Sequence, residues 1–237
     1  MEVGPFSVID DNVVVGDDCQ IGNHVTLRGG TRLGKGCRVF PGAVIGEVPQ
    51  DMKFGGEETT TEIGEGVTLR EHVTVHRGSK ARGRTEMRDH AYIMAYVHVG
   101  HDCFVGEHVI LTNAVQLGGH VSVDDWAVIG GIVAVHQFSK IGKHSFVGGG
   151  FRVIKDVPPY ITVAGEPLRF QGINSAGLKR RGFSEESRRN IKQAYHLIYR
   201  SSLNTTQALQ KIRKILPQSE EIQEIISFAE NSERGLV

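Results

Sequence analysis

Aliphatic residues recur at every sixth position over the first two-thirds of the chain. They stand at Val3, Ile9, Val15, Ile21, Leu27, Leu33, Val39 and Ile45, return at Ile63, Leu69 and Val75, and then run from Met87 through Ile93, Val99, Val105, Leu111, Leu117, Val123, Ile129, Val135, Ile141 and Val147 to Val153. Both interruptions keep the phase, so they read as loops thrown out of one continuous solenoid. Four residues after most of these aliphatics comes a second, usually small residue, as at Val25, Thr31, Cys37, Ala43, Ala91, Val97, Cys103 and Val109. Two inward positions in six, one large and one small, suit a narrow prism of short parallel strands. The residue after the aliphatic is mostly glycine, and the third after it is Gly, Asn, Asp or His, the types that tolerate positive φ, so each strand should end in a left-handed turn residue. Three such units close a triangular coil of eighteen residues, and the first part of the chain is expected to be mainly β.

The pattern resembles the hexapeptide-repeat family, which implies a left-handed parallel β-helix, a triangular prism, over about residues 3–155. The hand is carried over from that family, because general crossover chirality predicts the opposite one. Two excursion loops are expected at 47–62 and 77–86. Both are polar and charged, and loops leaving a rigid scaffold commonly carry function.

Periodicity changes after Lys155-Asp156-Val157-Pro158-Pro159, where the prolines should end the last strand. The prism is therefore assigned to residues 1–156 and a C-terminal α-helical domain to 157–237. Residues 160–182 read as irregular. Ser184 with Glu185 and Glu186 starts a helix striped by Ile191, Ala194, Tyr195 and Ile198; Thr205 or Thr206 starts a second, and Ser219 a third. These helices would cap the open end of the prism.

Composition narrows the function classes. The 27 basic and 27 acidic residues balance, so nothing global points to nucleic acid or a membrane surface. No apolar run is long enough to span a bilayer, and no signal-like N-terminus is present, so a soluble, cytoplasmic protein without membrane insertion is expected. Cys19, Cys37 and Cys103 all fall in the small inward slot, which favours buried thiols over redox or metal chemistry.

The repeat also sorts the eleven histidines. His24, His72, His90, His108, His120 and His144 occupy the turn slot, where a structural role is preferred. His196 belongs to a helix. His76 and His136 replace the usual glycine, His98 is outward on a strand, and His101 follows Gly100 at an outward corner, so burial in the prism explains none of these four. Residues eighteen apart stack on adjacent coils, about 4.8 Å apart, which makes Gly119 the neighbour of His101 and His120 that of Asp102. A base beside the Gly118-Gly119 corner is the arrangement for deprotonating a hydroxyl while a backbone amide holds an oxyanion. Asp102 adjoins the base and is placed to orient its other ring nitrogen. No G-x-S-x-G context appears and every cysteine points inward, which favours direct attack over an acyl-enzyme.

The runs Gly46-Glu47-Val48-Pro49-Gln50-Asp51-Met52-Lys53-Phe54, Val75-His76-Arg77-Gly78, His98-Val99-Gly100-His101-Asp102-Cys103, Gly118-Gly119-His120, Ala134-Val135-His136-Gln137-Phe138 and Gly177-Leu178-Lys179-Arg180-Arg181-Gly182-Phe183-Ser184 resemble, in order, the acyl-[acyl-carrier-protein]–UDP-N-acetylglucosamine O-acyltransferases of lipid A biosynthesis. The resemblance implies transfer of a 3-hydroxyacyl chain from acyl-carrier-protein to the 3-hydroxyl of UDP-N-acetylglucosamine, with no cofactor and no metal. It implies His101 as base, Asp102 as its orienting partner and the Gly119 N–H as oxyanion donor. Asp51, His98 and Gln137 would contact the glucosamine, and Lys53, His76, His120 and His136 would line the donor and acceptor site. Asn174, Arg180 and Arg181 would reach the nucleotide from a neighbouring subunit of a homotrimer whose sites lie between subunits. A trimer would also cover apolar outward residues such as Phe104, Ile110 and Val128 on a solenoid face. Gly149 matches the end of the acyl-chain pocket. Lys140, Lys143, Arg152, Lys155, Lys179, Arg180, Arg181, Arg188 and Arg189 together could form a patch for the acidic carrier protein. Against the family, the chain begins inside a later hexad and Ala176 replaces an acidic residue near the nucleotide, which leaves a 3-amine acceptor open. The related N-acyltransferase of the same pathway is the nearest enzymatic alternative, although the chain is expected to lack room for its extra N-terminal uridine-binding domain; a zinc hydratase built on His76, His98 and His101 is the second, and a structural solenoid the non-catalytic reading.

Overall fold

A computed structural model covering residues 1–237 winds the hexads into a parallel β-helix. Strands of two to four residues pair with strands one coil away. The order in each sheet advances in steps of three, giving a ten-stranded, an eight-stranded and a seven-stranded face. Registers such as His98 opposite Gln116 and Val99 opposite Leu117 give the eighteen-residue coil. Inside, Val99, Val105, Leu111 and Leu117 are fully buried, as are Val97, Cys103 and Val109 in the small slot. The three thiols donate to the carbonyls of Gly34, Gly64 and Gly118. Burial pushes Cys37 and Cys103 up to about 12, which leaves them as unreactive small hydrophobes.

The turn slot is left-handed as expected: Asn12, Asp18, His24, His72, His90, Asp102, His108, His120 and His144 have φ between 54° and 61°. The same conformation is imposed on Tyr96, Ala114, Trp126, Ile132, Phe138 and Tyr160, residues that would not choose it alone. From His24 upward, neighbouring coils hold the corner N–H in a hydrogen bond, and that repeated pairing outweighs a local cost of about 1–2 kcal/mol. Stacking of corner rings also contributes. His90, His108, Trp126, His144 and Tyr160 form one ladder along the edge between the seven- and ten-stranded faces, with His108 and Trp126 centroids 3.9 Å apart.

Both excursions leave from a single edge, the one between the eight- and seven-stranded faces, on consecutive coils directly beneath the His101-Asp102 corner. They are shorter than 47–62 and 77–86. Strands Val44–Glu47 and Thr60–Ile63 leave only 48–59 as loop, and Thr74–His76 and Arg84–Met87 leave 77–83. The strands flanking an excursion lengthen because they continue to pair with each other's coil, as Arg84–Met87 does along Thr60–Ile63.

The proline pair does not end the parallel stacking. Ile141 bridges Val157, and strand Ile161–Ala164 pairs in parallel with Phe146–Val147. An antiparallel partner, Arg169–Ile173, then closes the ten-stranded face. Within the stretch read as irregular there is also a helix, α1 (Ser175–Arg180). It is followed by α2 (Glu185–Tyr199), α3 (Thr205–Ile215) and α4 (Glu220–Glu230), with Ser184, Asn204 and Ser219 at their N-caps. Tyr195 of α2, fully buried, donates to the Pro159 carbonyl at 2.6 Å and ties the helices to the last coil.

Candidate active site

The fold fixes the sign and direction of every group at the His101 corner. Asp102 has the left-handed turn conformation, φ 60°, and is fully buried. Its Oδ1 accepts the N–H groups of Ser79 at 2.9 Å and Arg82 at 3.2 Å, both from loop 77–83. Its Oδ2 lies 2.7 Å from His101 Nδ1. Burial alone would raise the Asp102 carboxyl; the hydrogen bonds from His101 and Ser79 overcome it and hold the group below its ordinary value. An ionised carboxylate only accepts, so Nδ1 carries the proton and Nε2 is left as the free lone pair.

That lone pair meets Gly119. A Cβ on Gly119 would lie 2.6 Å from His101 Nε2, so only glycine leaves the ring its place. At comparable corners the N–H following the glycine slot is capped by a carboxylate, as Glu65 is by Asp89 and Glu107 by Asp125. The coil above Gly119 carries Gln137 instead, and the Gly119 N–H makes no hydrogen bond within the chain. Its peptide is oriented by the preceding carbonyl, which accepts from the buried Cys103 thiol at 3.1 Å. With the C=O turned inward, a trans peptide turns the N–H outward.

Other histidines pack around this pair. His120 lies edge-on to His101, with ring centroids 5.0 Å apart, and stacks on Phe138 at 4.4 Å. Burial pushes His120 down, against the opposing charges of Asp102 and of Asp51 in loop 48–59. His98 hydrogen-bonds Thr74 Oγ1 through Nδ1 at 2.8 Å; burial and then the neighbouring His101 push it down. His76 stands edge-on to His98 at 4.7 Å. His76 lies outside the inward slots, as expected, yet is only 5% exposed. Loop 77–83 begins immediately after it and the strand below carries Glu47, so the glycine slot is roofed here. Burial, then His98, push His76 down to about 4.

The structure thus gathers His76, His98, His101, Asp102, Gly119, His120 and Asp51 around one edge. His136 and Gln137 lie further along the same edge, both exposed, with His136 Nδ1 hydrogen-bonded to the Gln137 carbonyl. Lys53 is exposed in loop 48–59. Gly149 stacks on Gly131 along a different edge, between the ten- and eight-stranded faces. Asn174, Arg180 and Arg181 belong to the third edge. There the Asn174 amide is committed to local structure, accepting from Gly177 N–H as the α1 cap and donating to the His144 carbonyl. Arg181 lies over the Trp126 ring, 4.4 Å from its centroid. Phe104 is on the seven-stranded face whereas Ile110 and Val128 are on the ten-stranded one, so the apolar outward residues do not share one face. Of the nine basic residues, Lys140 donates to the Asn231 carbonyl and Lys143 and Arg152 pair with Glu224 and Glu166.

Three groups were not named from the pattern: Ser79 and Arg82, which act through backbone N–H groups, and Thr85, whose Oγ1 accepts the Asp102 N–H at 2.8 Å. Backbone donors leave no trace in residue type. Thr85 did leave one, a hydroxyl in the small inward slot where Val97, Cys103 and Val109 stand on later coils. The tightest His and carboxylate cluster is His101, Asp102 and His120, whose donor atoms lie within 4.8 Å of one another. The 2.7 Å separation of Nδ1 and Oδ2 is a hydrogen-bond length, shorter than the ~3.4 Å between two ligands of one tetrahedral zinc.

Comparison with known proteins identifies the fold and the family. A family profile described as UDP-N-acetylglucosamine O-acyltransferase, domain 2, matches residues 156–237. The acyl-[acyl-carrier-protein]–UDP-N-acetylglucosamine O-acyltransferase of Halorhodospira halophila is 44% identical over all of this chain and 92% of its own length. That of Thermodesulfovibrio yellowstonii is 45% identical over 99% and 91%. Among solved structures, the UDP-N-acetylglucosamine acyltransferase of Bacteroides fragilis superposes with a TM-score of 0.94 at 41% identity, covering 98% of each chain. The Acinetobacter baumannii enzyme gives 0.96 at 39%, covering 99% of this chain and 92% of its own. The left-handed prism is that of a hexapeptide-repeat acyltransferase. Within that class, the chain belongs to the acyl-[acyl-carrier-protein]–UDP-N-acetylglucosamine O-acyltransferase family.

Proposed function

We propose that the protein transfers a 3-hydroxyacyl chain from acyl-carrier-protein to the glucosamine 3-hydroxyl of UDP-N-acetylglucosamine, opening lipid A biosynthesis, with His101 as general base. The observation that carries the mechanism is the pairing of a free Nε2, fixed by the 2.7 Å Nδ1–Oδ2 hydrogen bond, with an unpaired Gly119 N–H beside it. Nε2 takes the proton of the sugar hydroxyl as its oxygen attacks the thioester carbonyl. The Gly119 N–H holds the oxyanion of the tetrahedral intermediate. Collapse expels the carrier thiolate, which takes the proton back from the imidazolium and leaves as a thiol. Asp102 stays ionised throughout and keeps the imidazole oriented.

Asp51, His98 and Gln137 are assigned to the glucosamine, and Lys53, His76, His120 and His136 to the surrounding donor and acceptor site. A homotrimer is part of this reading, because Asn174, Arg180 and Arg181 lie on an edge of the chain away from His101 and can serve the same nucleotide only from a neighbouring subunit. The Asn174 amide would have to be shared with its capping role. Gly149, with no side chain on its outer surface, is assigned to the end of the acyl pocket, again across a subunit boundary. No helix is long and apolar enough to cross a membrane, in keeping with action on a carrier-borne donor in the cytoplasm.

The test is turnover of purified protein with UDP-N-acetylglucosamine and a panel of acyl-carrier proteins, products identified by mass spectrometry. His101→Ala is expected to lower kcat by about 10² to 10⁴ with folding intact. A loss confined to KM removes His101 from the base role, and product formed only with a 3-amino sugar reassigns the acceptor.

A further inference from the structure

Corner residues of this prism have a standard partner. The N–H of the left-handed residue donates to a carbonyl one coil earlier: His120 to His101 at 2.9 Å, His108 to Asp89 at 3.0 Å, Ala114 to Ala95 at 2.9 Å, Phe138 to Gly119 at 3.1 Å. Asp102 has no such partner, because on the coil beneath it the corner is replaced by loop 77–83. Its N–H donates to Thr85 Oγ1 at 2.8 Å. Thr85 is 1% exposed and stands in the small inward slot directly beneath Cys103.

The same segment makes the other contacts to this residue. Ser79 and Arg82 N–H groups hold Oδ1, and Arg82 Nη1 donates to the Asp102 carbonyl at 3.1 Å. Apart from the coil's own continuation upward, Asp102 is therefore gripped at its N–H, its carbonyl and its far carboxylate oxygen by residues 79–85. Its near carboxylate oxygen is left to His101 at 2.7 Å, with His120 Nε2 farther off at 3.6 Å. Removing the corner carbonyl and supplying a hydroxyl frees the loop to fold its amides against the carboxylate.

We propose that Thr85 is a positioning residue for the His101–Asp102 pair, and that loop 77–83 with Thr85 forms a clasp that aims the Asp102 carboxylate at His101 Nδ1. This rests on the acyl-transfer reading for its catalytic consequence, though not for the geometry. Thr85 touches neither substrate nor base. It acts by fixing the backbone from which the carboxylate projects, and a misplacement of well under an ångström at such a pair is felt in the chemical step.

Thr85→Val and Thr85→Ser separate this role from packing. Valine keeps the shape and is what the slot already carries at Val97 and Val109, so the variant should fold; it removes only the acceptor. Serine keeps the acceptor. With saturating substrates, Thr85→Val is expected to lower kcat about tenfold with both KM values within about twofold, and Thr85→Ser to recover to within about threefold of wild type. A valine variant with kcat within twofold of wild type, or a loss that serine does not restore, overturns the inference. The imidazole ¹⁵N resonances give a readout independent of turnover. Wild type should show His101 protonated at Nδ1 alone, and Thr85→Val a mixture of tautomers. Should wild type prove inactive in acyl transfer, the functional reading falls by itself. The His101 signals then still decide the clasp, and an unchanged tautomer in Thr85→Val refutes it.

Discussion

Gly119 stands so close to His101 that a single added methyl would lie 2.6 Å from Nε2. Its φ is not in the left-handed region, so alanine is allowed by the backbone and excluded only by the imidazole. Gly119→Ala is therefore expected to fold with a melting temperature within a few degrees of wild type while losing about 10²-fold in kcat. A variant that keeps its turnover would mean that the ring does not work from the place it occupies.

Replacement of Asp102 by asparagine has a more specific outcome. The Ser79 and Arg82 N–H groups require an oxygen at the Oδ1 position, so the amide nitrogen must face His101 Nδ1. Two donors cannot pair there; the ring shifts its proton to Nε2 and loses its basic lone pair. Asp102→Asn should lower kcat by about 10²-fold or more with little change in KM, checked by steady-state kinetics with both substrates.

The adjacent arginines Arg180 and Arg181 should respond differently. Arg180 is exposed at the end of α1, and Arg180→Ala is expected to raise KM several-fold, an effect that shrinks with added salt. Arg181 is packed on Trp126 with its Nε buried. Arg181→Ala should also cost about 1 kcal/mol of stability, a shift of about 2–4 °C in thermal melting.

Stability should fall on mild acidification. Burial pushes His76 and His144 down to about 4, whereas both titrate near 6.5 when unfolded. Between those values the unfolded chain binds more protons at these two rings than the folded one, so their contribution to stability rises with pH from about 4 to about 6.5 and is level above that; Asp124, which burial pushes up to about 6, works the other way as it ionises. Each imidazole contributes at most about 3 kcal/mol over the window. Melting followed from pH 7.5 to 5 should show a steady decline that His144→Asn, a residue tolerant of the left-handed corner, makes shallower. A profile that His144→Asn leaves unchanged would contradict the burial of that ring.

The prism was legible in the sequence because its period is covariant with one physical demand, an aliphatic at each inward strand position, repeated too often to be chance. Leu117 and Val123 announce their place; Tyr96, Trp126 and Ile132 do not, since coil-to-coil hydrogen bonding forces them into a backbone shape their side chains disfavour. The strands Ile161–Ala164 and Arg169–Ile173 were hidden because an antiparallel hairpin abandons the hexad, and α1 because six residues are too few for a periodic signal. At the site, His101 stood out as a departure from the repeat, the eighteen-residue coil then set Gly119 beside it, and Asp102, itself a regular turn residue, adjoined it. The hold of the Ser79 and Arg82 N–H groups on Asp102 Oδ1 could not stand out, because a main-chain donor is the same in every residue. The covering of His76 was illegible for a related reason: the excursion beside it belongs to the tertiary fold.

Both excursions rise from one edge, immediately below the chemical corner, and this sets how the chain can change in length. Coils stacked like identical storeys can be gained or lost whole near either end of the prism with the reacting groups undisturbed. A hexad absorbed into the winding between loop 77–83 and His101 would instead turn the upper storeys by a third of a revolution, carrying the imidazole to an edge where no loop waits to hold its carboxylate.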